Sequence, residues 1–126
     1  MPDNLKNTLQ IGDVHITGLS DGSVSFDPRV LFPEESLDIW EPYYDRFPEY
    51  FSGQFFQNNL GSFVFTSGGK RVLADSGFGP HGDMLGHPAP GELITDFERN
   101  GIELDSIDTV FLTHLHGDHV GWNLRE

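Results

Sequence analysis

The feature that constrains this chain most is a junction near its end. Ile107 leads into Thr109-Val110-Phe111-Leu112-Thr113, a nearly continuous apolar run, and residues 114 to 119 then read HLHGDH, three histidines and an aspartate in the pattern HxHxDH. A continuous apolar run suits a strand buried on both faces, with a helix crossing over before it. At the end of such a strand, residues i and i+2 point to the same side, so the imidazoles of His114 and His116 can reach one ion. Gly117 lets the backbone turn sharply where a side chain would obstruct. Asp118 and His119 then face the same space from another direction, and Val120 to Asn123 are expected to begin a helix. Neutral imidazoles and a carboxylate suit Zn²⁺, and Fe or Mn fit the same donors. Two ligand sets separated by a turn suggest two ions side by side. Ions about 3.5–4 Å apart can share a bridging hydroxide and polarise a substrate oxygen together. Asp118 would ligate a metal and orient that hydroxide.

Upstream, residues 9–27 read as two short strands around a turn, with Val14, Ile16 and Leu19 as apolar positions and Asp21-Gly22 as the hairpin signal. His15 falls on the opposite face of that strand and is an ordinary strand residue. The stretch from Asp27 to Gln57 carries Pro28, Pro33, Pro42 and Pro48, which rule out one long helix. Ser36 is placed to cap a short helix containing Leu37 and Trp40. Eight aromatic residues between Trp40 and Phe56 read either as rings packing an irregular excursion, the favoured reading, or as the wall of an apolar pocket.

From Leu60 the pattern sharpens: a strand at 62–66, a turn at Ser67-Gly68-Gly69 and a second strand at 71–74, followed directly by Asp75 and a glycine-rich turn. A carboxylate in that place binds nearby backbone N–H groups or supports a ligand histidine. His81 and His87 sit in a glycine- and proline-rich loop whose spacing matches no local metal pattern. Residues 91–99 read as a helix with Leu93, Ile94 and Phe97 on one face and Asn100-Gly101 as its stop. No internal repeat or domain boundary stands out.

The bulk numbers exclude several function classes. With 20 acidic and 7 basic side chains the net charge is −13, a field that repels phosphate backbones and favours cations, so no nucleic-acid partner is expected. No apolar run is long enough to span a bilayer and residues 1–10 contain no apolar signal core, so no membrane partner is expected and the cytoplasm is the default location. The absence of cysteine removes disulfide and thiolate chemistry. An apolar content of 37% with 13% aromatic residues fits a globular chain.

Two segments carry a resemblance. FLTHLHGDHVGWN resembles the metal-binding signature of metallo-β-lactamase-fold hydrolases, and SFVFTSGGKRVLADSGFG resembles the strand pair that ends in that superfamily's Asp-Ser/Thr-Gly turn. The Gly-Trp-Asn after the motif and the aromatic excursion are similar to the lactonase-like and organophosphate-hydrolase-like branches. The resemblance implies an α/β fold, the αββα sandwich, of which this chain would supply the N-terminal half with one mixed β-sheet and flanking helices. It implies two zinc ions in the complete site, His114 and His116 on the first metal, Asp118 and His119 on the second, and Asp75 as the supporting carboxylate. It also implies a hydrolase whose metal-bound hydroxide attacks a lactone or another ester-like bond of a small molecule.

The family completes its site with a histidine, a bridging aspartate and a last histidine downstream of HxHxDH, and His15, His81 and His87 all precede the motif. The expectation is a single truncated domain over residues 1–126, inactive or weakly active alone. Its exposed apolar sheet face would seek a partner, either a homo-oligomer or the missing C-terminal half. Two other readings share these residues: a non-catalytic metal-binding or assembly fragment, and an iron-dependent oxygenase or oxidoreductase on the same fold.

Overall fold

The computed structural model describes residues 7–123. The strands are β1 (Thr8–Ile11), β2 (Val14–Phe26), β3 (Phe51–Ser52), β4 (Phe55–Ser67), β5 (Lys70–Ala74), β6 (Asp83–Met84), β7 (His87–Pro88) and β8 (Thr109–Phe111). The α-helices are α1 (Glu41–Tyr44), α2 (Leu93–Arg99) and α3 (Gly117–Val120). One six-stranded sheet runs β1-β2-β4-β5-β8, with β3 pairing β4 off that path. It is mixed: β1/β2 and β4/β5 are antiparallel, whereas β5/β8 is parallel and joined by the α2 crossover. This is the mixed sheet with flanking helices expected from the sequence.

The chain divides into two compact units, residues 1–22 with 60–126, and residues 23–59. In the first, Leu19, Val64, Leu73, Leu93 and Phe97 form the buried core, with Ile102, Leu104, Ile107 and Trp122 packed against it. Alternation along β4 explains which face is buried: Leu60, Ser62 and Val64 point inward and Phe63 outward. The β4–β5 turn is a two-residue hairpin at Gly68 (φ 57°) and Gly69 (φ 75°), a primed turn that needs positive φ at both positions. α2 stops at a Schellman arrangement in which Gly101 takes φ 65° and the N–H groups of Gly101 and Ile102 donate to Glu98 and Phe97.

Three expectations are corrected. Asp21-Gly22 is not a hairpin: β2 runs straight through it, and the turn lies at Gly12-Asp13, where Gly12 takes φ 57° and Ile11 pairs with Val14. Asp21 is inside instead, for reasons given below. The run from Thr109 to Thr113 is not buried on both faces: only Thr109–Phe111 is strand, all three residues are exposed, and among the described residues the strand pairs on one side only, with β5. An apolar run reports what a strand could bury, not what its own chain supplies to cover it. The helix expected from Val120 begins earlier, at Gly117, and passes into a 3₁₀ turn at Gly121–Asn123.

The second unit is built from short pieces, as four prolines require: 3₁₀ turns at Pro28–Val30, Leu37–Trp40 and Pro48–Tyr50, with α1 between them. Ser36 stands at the N-cap position with extended backbone, but its hydroxyl bonds Asp38 rather than a helix N–H. The rings pack on one another around Phe56, which meets Trp40 edge-on at 4.9 Å, Phe51 at 5.7 Å and Phe26 at 6.1 Å. Mutual ring packing of this kind holds an irregular segment together without a long helix or sheet.

Candidate metal centre

The site begins where β5 ends. Asp75 takes φ 62°, a left-handed conformation that costs a non-glycine residue about 1–2 kcal/mol. Tertiary bonds hold it there. Its N–H donates to Phe111 O at 2.8 Å, and its carboxylate accepts from the Thr113 N–H at 2.8 Å, the Thr113 hydroxyl at 2.8 Å and His119 Nδ1 at 2.8 Å. Burial pushes the Asp75 carboxyl up, but the bonds from the Thr113 N–H, His119 and the Thr113 hydroxyl outweigh it and hold the group below the usual carboxylate range.

The loop after Asp75 docks the turn that carries HxHxDH. Ser76 donates through N–H to His119 O at 2.8 Å and through its hydroxyl to Asn123 Oδ1 at 2.9 Å. In return the Gly121 and Trp122 N–H groups donate to Gly77 O at 2.8 Å and Ser76 O at 3.0 Å. Gly79 and Gly121 lie backbone to backbone, so a Cβ on either would overlap the other's main chain.

The HxHxDH residues come together. The rings of His114 and His116 are centred 4.6 Å apart, and those of His114 and His119 3.9 Å apart. Proton bookkeeping assigns two tautomers. An ionised carboxylate only accepts, so the Thr113 hydroxyl proton goes to Asp75 and its oxygen takes the proton of His114 Nδ1, 3.0 Å away. That leaves His114 Nε2 as a lone pair. By the same argument His119 Nδ1–H donates to Asp75, which turns its Nε2 toward Asp118.

The atoms that face the site fall into two close pairs. His114 Nε2 lies 3.1 Å from His116 Nδ1, and His119 Nε2 lies 3.3 Å from Asp118 Oδ2. Ligands about 2.0–2.1 Å from a tetrahedral zinc stand roughly 3.3 Å from each other, so each pair has the spacing of one edge of a coordination tetrahedron. A cation shared by His119 Nε2 and Asp118 Oδ2 would make their close approach favourable. The donor chemistry and spacing therefore fit a metal, as two pairs. Among the described residues no group of three or more histidine, aspartate or glutamate side chains is disposed to hold an ion by itself. His15 is exposed on β2 opposite Gln10, and His81 and His87 are exposed in and beside the β6–β7 hairpin.

Residues 61–125, half of the chain, match the family model described as the metallo-beta-lactamase superfamily. The chain belongs to that superfamily. Solved members and neighbours share its fold. A hydrolase named AbOPH, of the beta lactamase superfamily, aligns at 28% identity and TM-score 0.68 over 90% of this chain and 37% of its own. AidC, a dizinc quorum-quenching lactonase solved with the product N-hexnoyl-L-homoserine, aligns at 19% identity and TM-score 0.73 over 90% and 37%. A probable metal-dependent hydrolase from Staphylococcus aureus aligns at 19% identity and TM-score 0.68 over 89% and 41%. This chain thus spans well under half the length of these metallo-beta-lactamase-fold structures. No curated protein matches it. Among the described residues no helix is long and apolar enough to cross a membrane.

Sequence reasoning missed four residues that hold the candidate site together: Asp21, Ser76, Thr113 and Trp122. Thr113 and Ser76 each adjoin a residue that was singled out, and their hydroxyls were the available signal. Asp21 stands two positions from Leu19, on the buried face of β2, and a carboxylate in an apolar alternation was its signal.

Proposed function

We propose that this chain carries the first ligand segment of a metal-dependent hydrolase that acts on a lactone or other ester-like bond of a small molecule, with two zinc ions in the complete site. The observation that carries the reading is the pairing of potential ligand atoms, His114 with His116 and Asp118 with His119, at the spacing of metal ligands. His114 and His116 would hold one ion, and Asp118 and His119 the other. A bound ion supplies an activated water near neutral pH and polarises the oxygen of the bond to be cleaved. The chain's own part is orientation: Asp75 keeps the Nδ1 proton of His119, and Thr113 keeps that of His114, so that the opposite nitrogen of each ring faces the site. Asp118 would hold a water's proton beside the metal. Hydrolase and dizinc lactonase relatives support the substrate class.

One observation favours a second reading, a non-catalytic metal-binding or assembly fragment. Each donor pair supplies only two ligands, so an ion held by this chain alone would keep other positions for water or for a second chain.

The test is metal content of the purified 126-residue chain by elemental mass spectrometry, with His114→Ala alongside. Zinc present in the wild type and lost in the variant is the expected result. Iron in its place would turn the reading toward redox chemistry on the same ligands. Equal metal in both chains would remove His114 from the site and sink the ligand assignment.

A further inference from the structure

We propose that Asp21, some ninety residues before the HxHxDH segment, is a positioning residue for it: a buried carboxylate that clamps the loop after β5 and the segment after α3 into one rigid seat for the ligands. The inference rests on the reading of residues 114–119 as the ligand segment. Asp21 is 1% exposed. Its two oxygens accept four bonds from three parts of the chain: Phe78 N–H at 2.6 Å and Gly79 N–H at 3.3 Å, Leu93 N–H at 2.7 Å, and the Trp122 indole N–H at 2.8 Å. Its own carbonyl takes the Glu92 N–H at 3.0 Å.

The four donors, three backbone N–H groups and one indole, are all neutral, so the carboxylate is kept by geometry rather than by a counter-ion, and burying it is costly unless every bond is made. The backbone closes around it. A Cβ at Gly77 or at Gly91 would overlap the carboxylate, so both positions need glycine for this approach alone. The clamp reaches the ligands by two short routes. Phe78 and Gly79 continue the loop whose Ser76 and Gly77 bond His119, Gly121 and Trp122, and Trp122 is held three residues from His119. Directional bonds fix such a seat more tightly than apolar packing of equal size, which tolerates small slides.

The test uses the 126-residue chain with Asp21→Asn, which keeps the size but turns one acceptor into an N–H₂ facing the donors it held. Two readouts are followed: amide hydrogen exchange by mass spectrometry, and cobalt(II) affinity by absorption titration. The expected result is faster exchange confined to the segments around 76–79, 92–93 and 117–123, unchanged exchange in β4 and β5, and cobalt affinity lower by about tenfold. Phe56→Leu, a change at the centre of the aromatic cluster that touches none of these bonds, is the comparator and should lower stability while leaving cobalt affinity alone.

Uniformly faster exchange, or an equal loss of affinity in Phe56→Leu, would overturn the clamp and leave Asp21 a general stability residue. If Asp21→Asn does not fold, Trp122→Phe removes one donor only and is read the same way. A wild-type chain that takes up no cobalt sinks the proposed function but not the clamp, which the exchange pattern decides without metal.

Discussion

Asp75 and His119 meet at 2.8 Å although 44 residues separate them in the chain. The contact joins the end of β5 to the turn that follows β8, and it fixes which nitrogen of His119 faces Asp118. Asp75→Ala should therefore weaken metal binding by about 10–100-fold while His119 itself is intact. A competition titration with a chromogenic chelator measures this. Unchanged affinity would show that His119 needs no partner to hold its ring.

Thr113 is a relay in the same network, with one hydroxyl donating to Asp75 and accepting from His114. Thr113→Ser keeps the hydroxyl and should keep affinity. Thr113→Val keeps the shape, removes the relay, and should shift the His114 tautomer and cost about tenfold in affinity. Imidazole ¹⁵N chemical shifts distinguish the tautomers directly. Equal behaviour of the serine and valine variants would remove Thr113 from the relay.

Close backbone approach gives the third prediction. Gly79 takes φ 79° and lies against the main chain of Gly121. Gly79→Ala adds left-handed strain to an overlap with backbone, which cannot swing aside, so it should cost roughly 2–4 kcal/mol. Chemical denaturation measures it. Gly53→Ala is the control, because it shares the positive φ (61°) but has nothing within contact distance.

What was legible in the sequence divides by the range of the interaction. HxHxDH is local: strand period and one glycine turn are enough to bring His114 and His116 together, and the primed turn at Gly68-Gly69 is likewise decided by its own residues. Asp75 was legible because it sits at a strand end before glycines. Asp21 was not, because Asp-Gly is the usual hairpin signal, and here the pair lies mid-strand to serve partners 57 to 101 residues away. The β8 strand was misjudged for a related reason: an apolar run states a demand for cover, and whether cover exists is a matter of the other chain segments.

The edge of the sheet carries an ion pair whose pH dependence can be worked out. Asp108 accepts from Lys70 Nζ at 2.8 Å and from the Arg71 N–H at 2.9 Å. The Lys70 ammonium, then the Arg71 N–H, hold the Asp108 carboxyl below 3.8, and the same pair raises Lys70 above 10.5. A depressed carboxyl adds stability that is present above its unfolded value and is lost as pH falls through its folded value. Asp108→Asn should thus melt lower than wild type at neutral pH, and the difference should shrink once pH drops below 3.8. Both groups face water, so added salt should shrink it too. A difference that grows in acid would contradict the pairing.

The sheet face turned away from α2 sets the chain's behaviour in solution. Register aligns Phe63, Ala74 and Phe111 in one row across β4, β5 and β8, with Phe65, Val72 and Thr109 in the next row on the same face. Phe63 is 48% exposed and Phe111 58%, and Leu115 beyond the strand reaches 79%. β8 also leaves one edge of the sheet unpaired among the described residues, which adds free N–H and C=O groups beside the apolar row. Contiguous apolar surface next to an open edge associates. The chain should therefore show concentration-dependent self-association in sedimentation velocity, and it should bind a hydrophobic dye more than a fully covered domain does. Phe63→Lys with Phe111→Lys places two charges on that row without touching the core or the ligand turn. The double variant should sediment as a monomer at concentrations where the wild type does not, with its far-ultraviolet dichroism unchanged. Wild type that stays monomeric across the same range would mean that this face is covered within the chain itself.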